Sequence, residues 1–296
     1  MRPTDDLYVT QDYLNDRYQR AQDAISRAPH GSYISHHTAA ALHGLWPPPS
    51  PTIHLAVPPR ARRAPPPGIT VHRGHYDAWV TTLGGLPVAH PAQAVVDLAR
   101  SLRLVDLLPL TDSLLRQDPH GLHAVRTRAA EQRVQLRRLH QAVAMARLGA
   151  ESAMESRMRL LLILAGFPEP DLQISVPRRA ATQGEADARE IPWDTDGTWR
   201  IDLGYRELRV GAEYDGEHHR GRRQRAHDTS RRTAIRSDGW LLHIATSHDL
   251  MSHPLAFLTR FAASYNSRAT TPLALSEDWR HEFTDYARAP FGPEPA

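Results

Sequence analysis

The stretch LRVGAEYD at residues 208–215 decides how the C-terminal half of this chain is interpreted. Its side chains alternate between two faces, which is typical of a β-strand. Glu213 and Asp215 therefore project from the same face, at the carboxyl end of the predicted strand. The stretch WRIDL at 199–203 is also strand-like, and it holds Asp202 between two aliphatic residues. Acidic residues thus mark two neighbouring strands.

A hairpin of these strands, turning near residues 206–208, brings Asp202 close to Glu213. Converging carboxylates are unfavourable without a cation, because an unpaired carboxylate among apolar side chains is costly. Oxygen donors with room for water suit Mg²⁺ or Mn²⁺. We therefore predict a divalent-cation site formed by Asp202, Glu213 and Asp215. The alternative is a half-solvated hairpin that carries the same acids on its surface.

The composition excludes several kinds of chemistry. The chain of 296 residues has no cysteine, and its 36 basic residues are all arginine. Disulfides, thiolate metal sites, cysteine nucleophiles and lysine-dependent mechanisms are therefore excluded. No stretch resembles a targeting signal or reaches the about 20 apolar residues that a membrane span needs. We expect a cytoplasmic protein of two domains with no membrane partner.

The segment that follows Asp215 is rich in histidine and arginine. His218 and His219 stand where a general acid or base can reach a metal-bound water or a leaving group. Between residues 216 and 236, seven arginines stand against two acids, in a chain whose net charge is only +3. Because arginine holds phosphate by charge and geometry, we predict a DNA-binding helix. A solvated helix face is the alternative for each arginine taken singly. The predicted phosphate-binding residues are Arg220, Arg222, Arg223, Arg225, Arg231 and Arg232.

The acidic residues carry a resemblance to a nuclease superfamily. Asp202, ten residues and then EYD at 213–215 resemble the Asp…Glu-x-Lys signature of the PD-(D/E)XK nucleases. A longer set of motifs resembles an actinobacterial family related to very-short-patch-repair endonucleases. These motifs are RIDLG at 200–204, GAEYDGEHH at 211–219, Asp228-x-x-Arg231 and Gly239-Trp240. The resemblance covers about Glu151 to Ser267, and it implies a Mg²⁺-dependent endodeoxyribonuclease that acts in repair or defence.

The same resemblance assigns two further roles and leaves alternatives open. It implies that Glu155 is an outer member of the site, although SAME at 152–155 also fits a helix capping box. Asp215 occupies the position of the signature lysine, so His218 or His219 takes over acid–base chemistry, as a histidine does in the repair endonucleases. Without turnover, the fold is a DNA-binding or antitoxin-like regulatory protein, or a scaffold in which the carboxylates pair with arginines.

The N-terminal half resembles an abortive-infection antitoxin-like domain. The motifs are ISHHTAAALHGL at 34–45, IHLAV at 53–57 and VHR at 71–73. They imply a toxin–antitoxin or defence partner. We interpret the histidines of the first motif through packing and capping rather than metal ligation; they are His36, His37 and His43.

Together these observations predict an α/β protein. Its C-terminal domain, 149–268, is expected to be a restriction-endonuclease-like core in which helices flank a mixed sheet. The N-terminal domain, 1–148, is expected to be α+β and to end in a long helix. A poorly ordered tail is expected at 269–296.

Overall fold

A computed structural model describes residues 11–61, 66–74, 78–134, 136–177, 198–216 and 222–283. The side chains of 11–15 and 222–228 lie outside this description. The chain divides into two compact units, Met1–Ser156 and Arg157–Ala296. The division falls within a helix that begins at Ala153, whereas the predicted boundary at 148/149 lies just before that helix.

The first unit contains a mixed five-stranded sheet and helices. Its strands are β1 (Tyr33–Ile34), β2 (Ile53–Val57), β3 (Ile69–Arg73), β4 (Val80–Leu83) and β5 (Leu86–Ala89). The strand order is β3-β2-β1-β5-β4, with β2–β3 and β1–β5 parallel and the other two pairs antiparallel. Every residue of β2 is buried, because this apolar strand has neighbours in the sheet on both sides.

The helices of the first unit differ in part from the expectation. They are α1 (Gln11–Ser26), α2 (His36–Leu42), α3 (Pro91–Leu98), α4 (Leu104–Gln117), α5 (Gly121–Glu131) and α6 (Arg137–Met145). Pro91 begins α3, as the sequence predicts, and the His90 ring accepts a hydrogen bond from the Ala92 amide. The long helix expected at the end of the domain is instead two helices, because the chain breaks where Arg133 adopts a positive φ of 53°.

The second unit contains a four-stranded mixed sheet. Its elements are α7 (Ala153–Leu164, begun in the first unit), β6 (Asp171–Pro177), β7 (Thr198–Tyr205), β8 (Val210–Tyr214), α8 (Arg222–Ser237), β9 (Leu241–Ala245), a π-helical turn (His248–Ser252), α9 (Pro254–Asn266) and α10 (Arg280–Phe283). The strand order is β6-β7-β8-β9, antiparallel except for the β8–β9 pair. Because parallel neighbours need a crossover connection, α8 links β8 to β9.

The hairpin of β7 and β8 depends on a close approach of its two backbones. A Cβ atom on Gly204 would meet the Cα of Gly211 at 2.7 Å, and a Cβ on Gly211 would meet Ile201 Cγ2 at 2.7 Å. Real Cβ atoms essentially never approach heavy atoms so closely. Both positions therefore require glycine for this register.

The core of the second unit covers both faces of β8. Ile201 of β7 and Ile235 of α8 are fully buried and belong to one apolar cluster. In β8 the residues from Val210 to Glu213 are all buried, so this strand is interior rather than half-solvated. A carboxylate on such a strand is removed from water, and it needs charged or polar partners.

The segment after Arg268 corrects the expectation of a poorly ordered tail. Within its described part, Trp279 is 1% exposed and Phe283 is 0% exposed. The Asn266 side chain bonds both the amide and the carbonyl of Leu273, at 2.7 and 2.9 Å. Residues up to Phe283 therefore belong to the core of the second unit. Among the described residues, the helices include none with the length and apolar character needed to cross a membrane.

Candidate functional site

The hairpin brings Asp202 and Glu213 to the same place, as the sequence predicts. Leu203 of β7 pairs with Ala212 of β8, and one further step in this register sets Asp202 opposite Glu213. Directly opposed residues of an antiparallel pair share a face. The Asp202 carboxylate then accepts a hydrogen bond of 2.8 Å from the Tyr214 amide through Oδ2. The side chain thus satisfies a strand amide at the end of the ladder.

Glu213 is the most deeply buried acid of the site. The residue is 2% exposed, and its Oε2 atom lies 2.6 Å from Arg231 Nη2 and 3.5 Å from Arg232 Nε. Its other oxygen, Oε1, is buried and has no hydrogen-bond partner among the described residues. Since a buried carboxylate is stable only when its oxygens are compensated, one half of this carboxylate lacks compensation.

Asp215 lies just beyond the end of β8 and is held near Glu213. Its amide donates to the Ala245 carbonyl at 2.8 Å, which continues the pairing with β9. Its Oδ2 atom is 2.7 Å from Arg232 Nη2, and its side chain is 28% exposed. One guanidinium, that of Arg232, therefore faces both carboxylates.

Arg231 and Arg232 occupy the carboxylate cluster from α8. Arg231 also donates from Nη1 to the Arg200 carbonyl of β7 at 2.8 Å, which ties α8 to two strands. Arg232 Nε is buried and has no hydrogen-bond partner among the described residues. Both guanidiniums contact acids in this structure, and the phosphate contacts expected of them remain a prediction.

The other predicted site residues fall in three groups. His218, His219 and Arg220 lie outside the described residues. The backbone of α8 includes the positions of three further arginines, whose side chains lie outside the description; they are Arg222, Arg223 and Arg225. Asp228, the expected i, i+3 partner of Arg231, has an undescribed side chain as well. Their assignments as acid–base and phosphate-binding residues remain predictions.

Glu155 forms one half of the capping box that its sequence context also allows, but its carboxylate accepts from the amide of Glu151 rather than from that of Ser152. Ser152 Oγ accepts a hydrogen bond of 3.2 Å from the Glu155 amide, and Glu155 Oε2 accepts one of 2.9 Å from the Glu151 amide. These contacts satisfy amides at the start of α7 that have no partner within the helix. Glu155 is 8% exposed and belongs to the first unit, and its role as an outer member of the site remains a prediction.

The carboxylates of this site fit a divalent cation that is only partly coordinated by protein. Across the described segments, no three His, Cys, Asp or Glu side chains are grouped so as to hold a metal ion. Mg²⁺, however, commonly binds through one or two carboxylates and completes its shell with water and substrate phosphate. Glu213 Oε1, a buried oxygen without a hydrogen-bond donor, suits such binding. The residues fit an open cation site rather than a closed cage.

The first unit contains a histidine cluster that the sequence did not predict. The rings of His36 and His72 stack with centroids 3.5 Å apart, and His54 Nδ1 lies 2.9 Å from His72 Nε2. The His37 ring lies 4.6 Å from that of His54. These residues come from α2, β2 and β3, so no local spacing signals their meeting. The parallel register of β2 and β3 is what brings His54 and His72 together.

Burial controls the charge of this histidine cluster. Desolvation, followed by the nearby histidines, lowers the pKa of His36 to about 2, that of His54 to about 3 and that of His37 to about 4. Burial also lowers the pKa of His72. The rings are therefore neutral at pH 7. His43 instead bonds the Ala89 carbonyl at 2.9 Å, in agreement with its interpretation as a packed, hydrogen-bonded residue.

Comparisons with known proteins place the chain in a family. No protein-family model and no solved structure matches it. Two proteins of Mycobacterium tuberculosis are similar: the uncharacterized protein Rv2248 of strain H37Rv and the uncharacterized protein MT2308 of strain CDC 1551. Each is 30% identical over 231 residues, which cover 76% of this chain and 78% of the relative. The chain therefore belongs to the same family as these two mycobacterial proteins.

Proposed function

We propose that this protein is a metal-dependent endonuclease that hydrolyses DNA phosphodiester bonds. Asp202 and Glu213 hold a Mg²⁺ or Mn²⁺ ion, Asp215 is the third carboxylate, and His218 or His219 is the general acid or base. One observation carries the proposal: the buried Glu213 has an oxygen without a hydrogen-bond donor among the residues that the structure describes, at the strand end where Asp202 and Asp215 also lie. A carboxylate in that condition is suited to a cation.

The order of elements in the second unit supports the proposal. A helix, three antiparallel strands, a crossover helix and a fourth, parallel strand follow one another from α7 to β9. This order agrees with the mixed sheet and flanking helices that the resemblance to restriction-endonuclease-like nucleases implies. The acids come from the central hairpin of that sheet.

The proposed roles follow from the chemistry of each side chain. A bound divalent cation supplies Lewis-acid activation of water and of the scissile phosphate. Glu213 lies on an interior strand, which fixes the position of its carboxylate as a ligand of the cation. The arginines of α8 hold the flanking phosphates, because a guanidinium fork matches two phosphate oxygens. The proposed substrate is DNA, in keeping with a role in repair or defence.

A second candidate is DNA binding without turnover, in an antitoxin-like regulatory protein. The observation in its favour is that Asp215, at the lysine position of the signature, pairs with Arg232 at 2.7 Å. A carboxylate paired in this way cannot perform the part of a catalytic lysine. The two candidates differ in one measurable respect, which is whether bound DNA is cut.

Nicking of supercoiled plasmid in the presence of Mg²⁺ or Mn²⁺ tests the proposal. We expect cleavage by the full chain and none in EDTA. Glu213→Gln and Asp202→Asn should reduce the rate at least about a hundredfold, the scale expected when charge stabilisation is lost. The matched control is Glu207→Gln, an acid on the exposed turn of the same hairpin, which should cleave like the wild type.

Two results contradict the nuclease. The first is plasmid nicking that persists unchanged in Glu213→Gln, because the activity then does not depend on this carboxylate. The second is salt-sensitive DNA binding without cleavage in either metal, which favours the regulatory protein instead. Such binding should weaken linearly on a plot of log K against log salt concentration.

A further inference from the structure

We propose that Arg231 and Arg232 are exchangeable counter-ions of the carboxylate cluster. In the free protein they hold Glu213 and Asp215; when DNA binds, their guanidiniums turn to its phosphates, and the released carboxylate oxygens accept the divalent cation. DNA and cation therefore bind cooperatively. This inference rests on the proposed function and adds to it a regulation of the same site.

The first argument is that the ion pairs leave atoms unsatisfied on both sides. Within the described part of the chain, Glu213 Oε1 has no hydrogen-bond donor, and Arg232 Nε, although 3.5 Å from Glu213 Oε2, has no hydrogen-bond acceptor. Both atoms are buried, so neither is compensated by water. Arg232 Nε therefore needs a hydrogen-bond acceptor, and Glu213 Oε1 needs a positively charged partner. Phosphate oxygen and a divalent metal ion supply these two missing partners.

The second argument concerns charge. Three carboxylates, Asp202, Glu213 and Asp215, share this strand end with two guanidiniums. Among the described residues, Arg231 and Arg232 are the guanidiniums that form ion pairs with Glu213 and Asp215. When a guanidinium moves to phosphate, a divalent ion takes its place beside the acids. The ion brings two positive charges for the one that leaves, so positive charge remains beside the carboxylates. The exchange therefore avoids a bare carboxylate.

The third argument concerns access from solvent. The side chains of Arg231 and Arg232 are 21% and 18% exposed, whereas that of Glu213 is 3% exposed. The arginines thus reach solvent where the glutamate does not. An approaching phosphate meets the guanidiniums before it meets the carboxylate, and it attracts them by charge-assisted hydrogen bonds.

The two arginines are not equivalent in this exchange. Arg231 is anchored by its 2.8 Å hydrogen bond to the Arg200 carbonyl as well as by Glu213. Among the described residues, Arg232 contacts acids only, and its Nε has no acceptor. Arg232 is therefore the counter-ion that exchanges more readily, whereas the bond to the Arg200 carbonyl holds Arg231 back.

Binding of Mn²⁺ to the full chain, followed by electron paramagnetic resonance without DNA, tests this assignment. Removing the competitor charge in Arg232→Gln should tighten Mn²⁺ binding by about fivefold or more, the scale of an ordinary coupling between sites. Arg232→Lys keeps a charge and should bind Mn²⁺ within about twofold of the wild type. The matched control is Arg236→Gln on the same helix, since Arg236 contacts only the Leu242 carbonyl in the described structure.

A second arm adds a short DNA duplex to the same samples. In the wild type, the duplex should tighten Mn²⁺ binding, and Mn²⁺ should tighten DNA binding by the same factor, because linkage is reciprocal. In Arg232→Gln this mutual gain should shrink. A gain of full size in the variant would instead indicate that the metal simply contacts phosphate, and it would overturn the exchange. Readings are taken on DNA that gel analysis shows to be intact.

The outcomes separate this inference from the proposed function. If no sample cuts DNA but Arg232→Gln tightens Mn²⁺ binding, the nuclease fails and the exchange stands. If the wild type cuts DNA while the folded Arg232→Gln variant binds Mn²⁺ as the wild type does, the exchange fails and the nuclease stands. If folded wild-type protein binds no Mn²⁺ with or without DNA, both are overturned. Circular dichroism verifies folding in each case.

Discussion

The histidine cluster of the first unit and the carboxylate cluster of the second differ in how they tolerate burial. In the first, four imidazoles pack against one another, His54 and His72 share a hydrogen bond, and burial holds the rings neutral at pH 7. In the second, Glu213 and Asp215 are held by two guanidiniums, and one oxygen of Glu213 has no hydrogen-bond partner among the described residues. The histidine cluster is therefore buried without charge, whereas the carboxylate cluster is buried as ion pairs.

This difference in charge indicates which of the two clusters is the better candidate for a binding site. Neutral rings that pack against one another carry no charge for a ligand to balance, and protonation in acid destabilises them. A charged cluster with unsatisfied atoms is stable only while every partner remains, and it gains from a cation or an anion that completes it. This contrast separates a packed cluster from a binding site on physical grounds.

The largest expected effect comes from breaking the charged cluster at its centre. Glu213→Ala leaves Arg231 and Arg232 without their shared carboxylate. We expect a loss of about 3 kcal/mol in the free energy of unfolding, the lower end of the range for a broken buried pair, because both arginines reach solvent. Urea denaturation measures it. Glu207→Ala, on the exposed turn of the hairpin, should stay within about 0.5 kcal/mol of the wild type. Equal stability of the two variants would mean that the pairs contribute nothing.

The next effect tests how the second cluster is assembled. Gly204→Ala places a methyl group against the backbone of Gly211, so β7 and β8 must separate. We expect a loss of about 2 kcal/mol. Since Asp202 and Glu213 meet through this pairing, Mn²⁺ binding should also weaken. Ser175→Ala on β6 is the matched control, because Ser175 is exposed. A Gly204→Ala protein with wild-type stability would show that the close approach is dispensable.

Acid should distinguish the two clusters. The pKa of His36, His54 and His37 lies at about 2, about 3 and about 4 in the folded chain and near 6.5 when unfolded. As pH falls below 6.5 the unfolded chain takes up protons first, so the contribution of the neutral rings to the stability of the first unit declines from about pH 6.5 down to about pH 2. Hydrogen exchange of β2 and β3 amides, compared at about pH 7.5 and, after rate correction, about pH 4.5, measures this.

A single substitution sharpens the acid prediction. His37 Nδ1 is buried without a hydrogen-bond partner, so His37→Phe removes a titratable ring and an unsatisfied atom together. At about pH 7.5 we expect stability within about 1 kcal/mol of the wild type. The decline toward acid should be shallower than in the wild type. If the stability of the variant declined as steeply toward acid as that of the wild type, protonation of His37 would not contribute to the acid sensitivity.

Salt should have the smallest effect, and only on the second cluster. Raising the ionic strength from about 0.1 M to about 1 M shortens the Debye length from about 10 to about 3 Å. Because Glu213 is buried but its arginines reach solvent, the second unit should lose less than about 1 kcal/mol. Protection of β2 amides should stay constant while that of β8 declines. A decline in the protection of β2 amides with constant protection of β8 amides would contradict the conclusion that the first cluster is neutral and the second is charged.

Much of the candidate site follows from local pattern. The alternation in residues 208–215 correctly predicts that Glu213 and Asp215 lie together, and the spacing from Asp202 correctly predicts the hairpin. Strand period and hairpin register are local properties, which is why they can be derived from sequence. The segment after Arg268 was misjudged, because its few apolar residues, Trp279 and Phe283, give no periodic signal and are buried only by distant elements.

The sequence by itself determined which side chains are present and which faces of the strands they share, because β-geometry repeats every two residues. It excluded thiol and lysine chemistry by composition alone. Only the tertiary structure decided the partners. It set Arg231 and Arg232 of α8 against the acids of β8, and it joined His36, His37, His54 and His72 from three elements. Such meetings depend on how helices and strands pack, and no spacing along the chain encodes that packing locally.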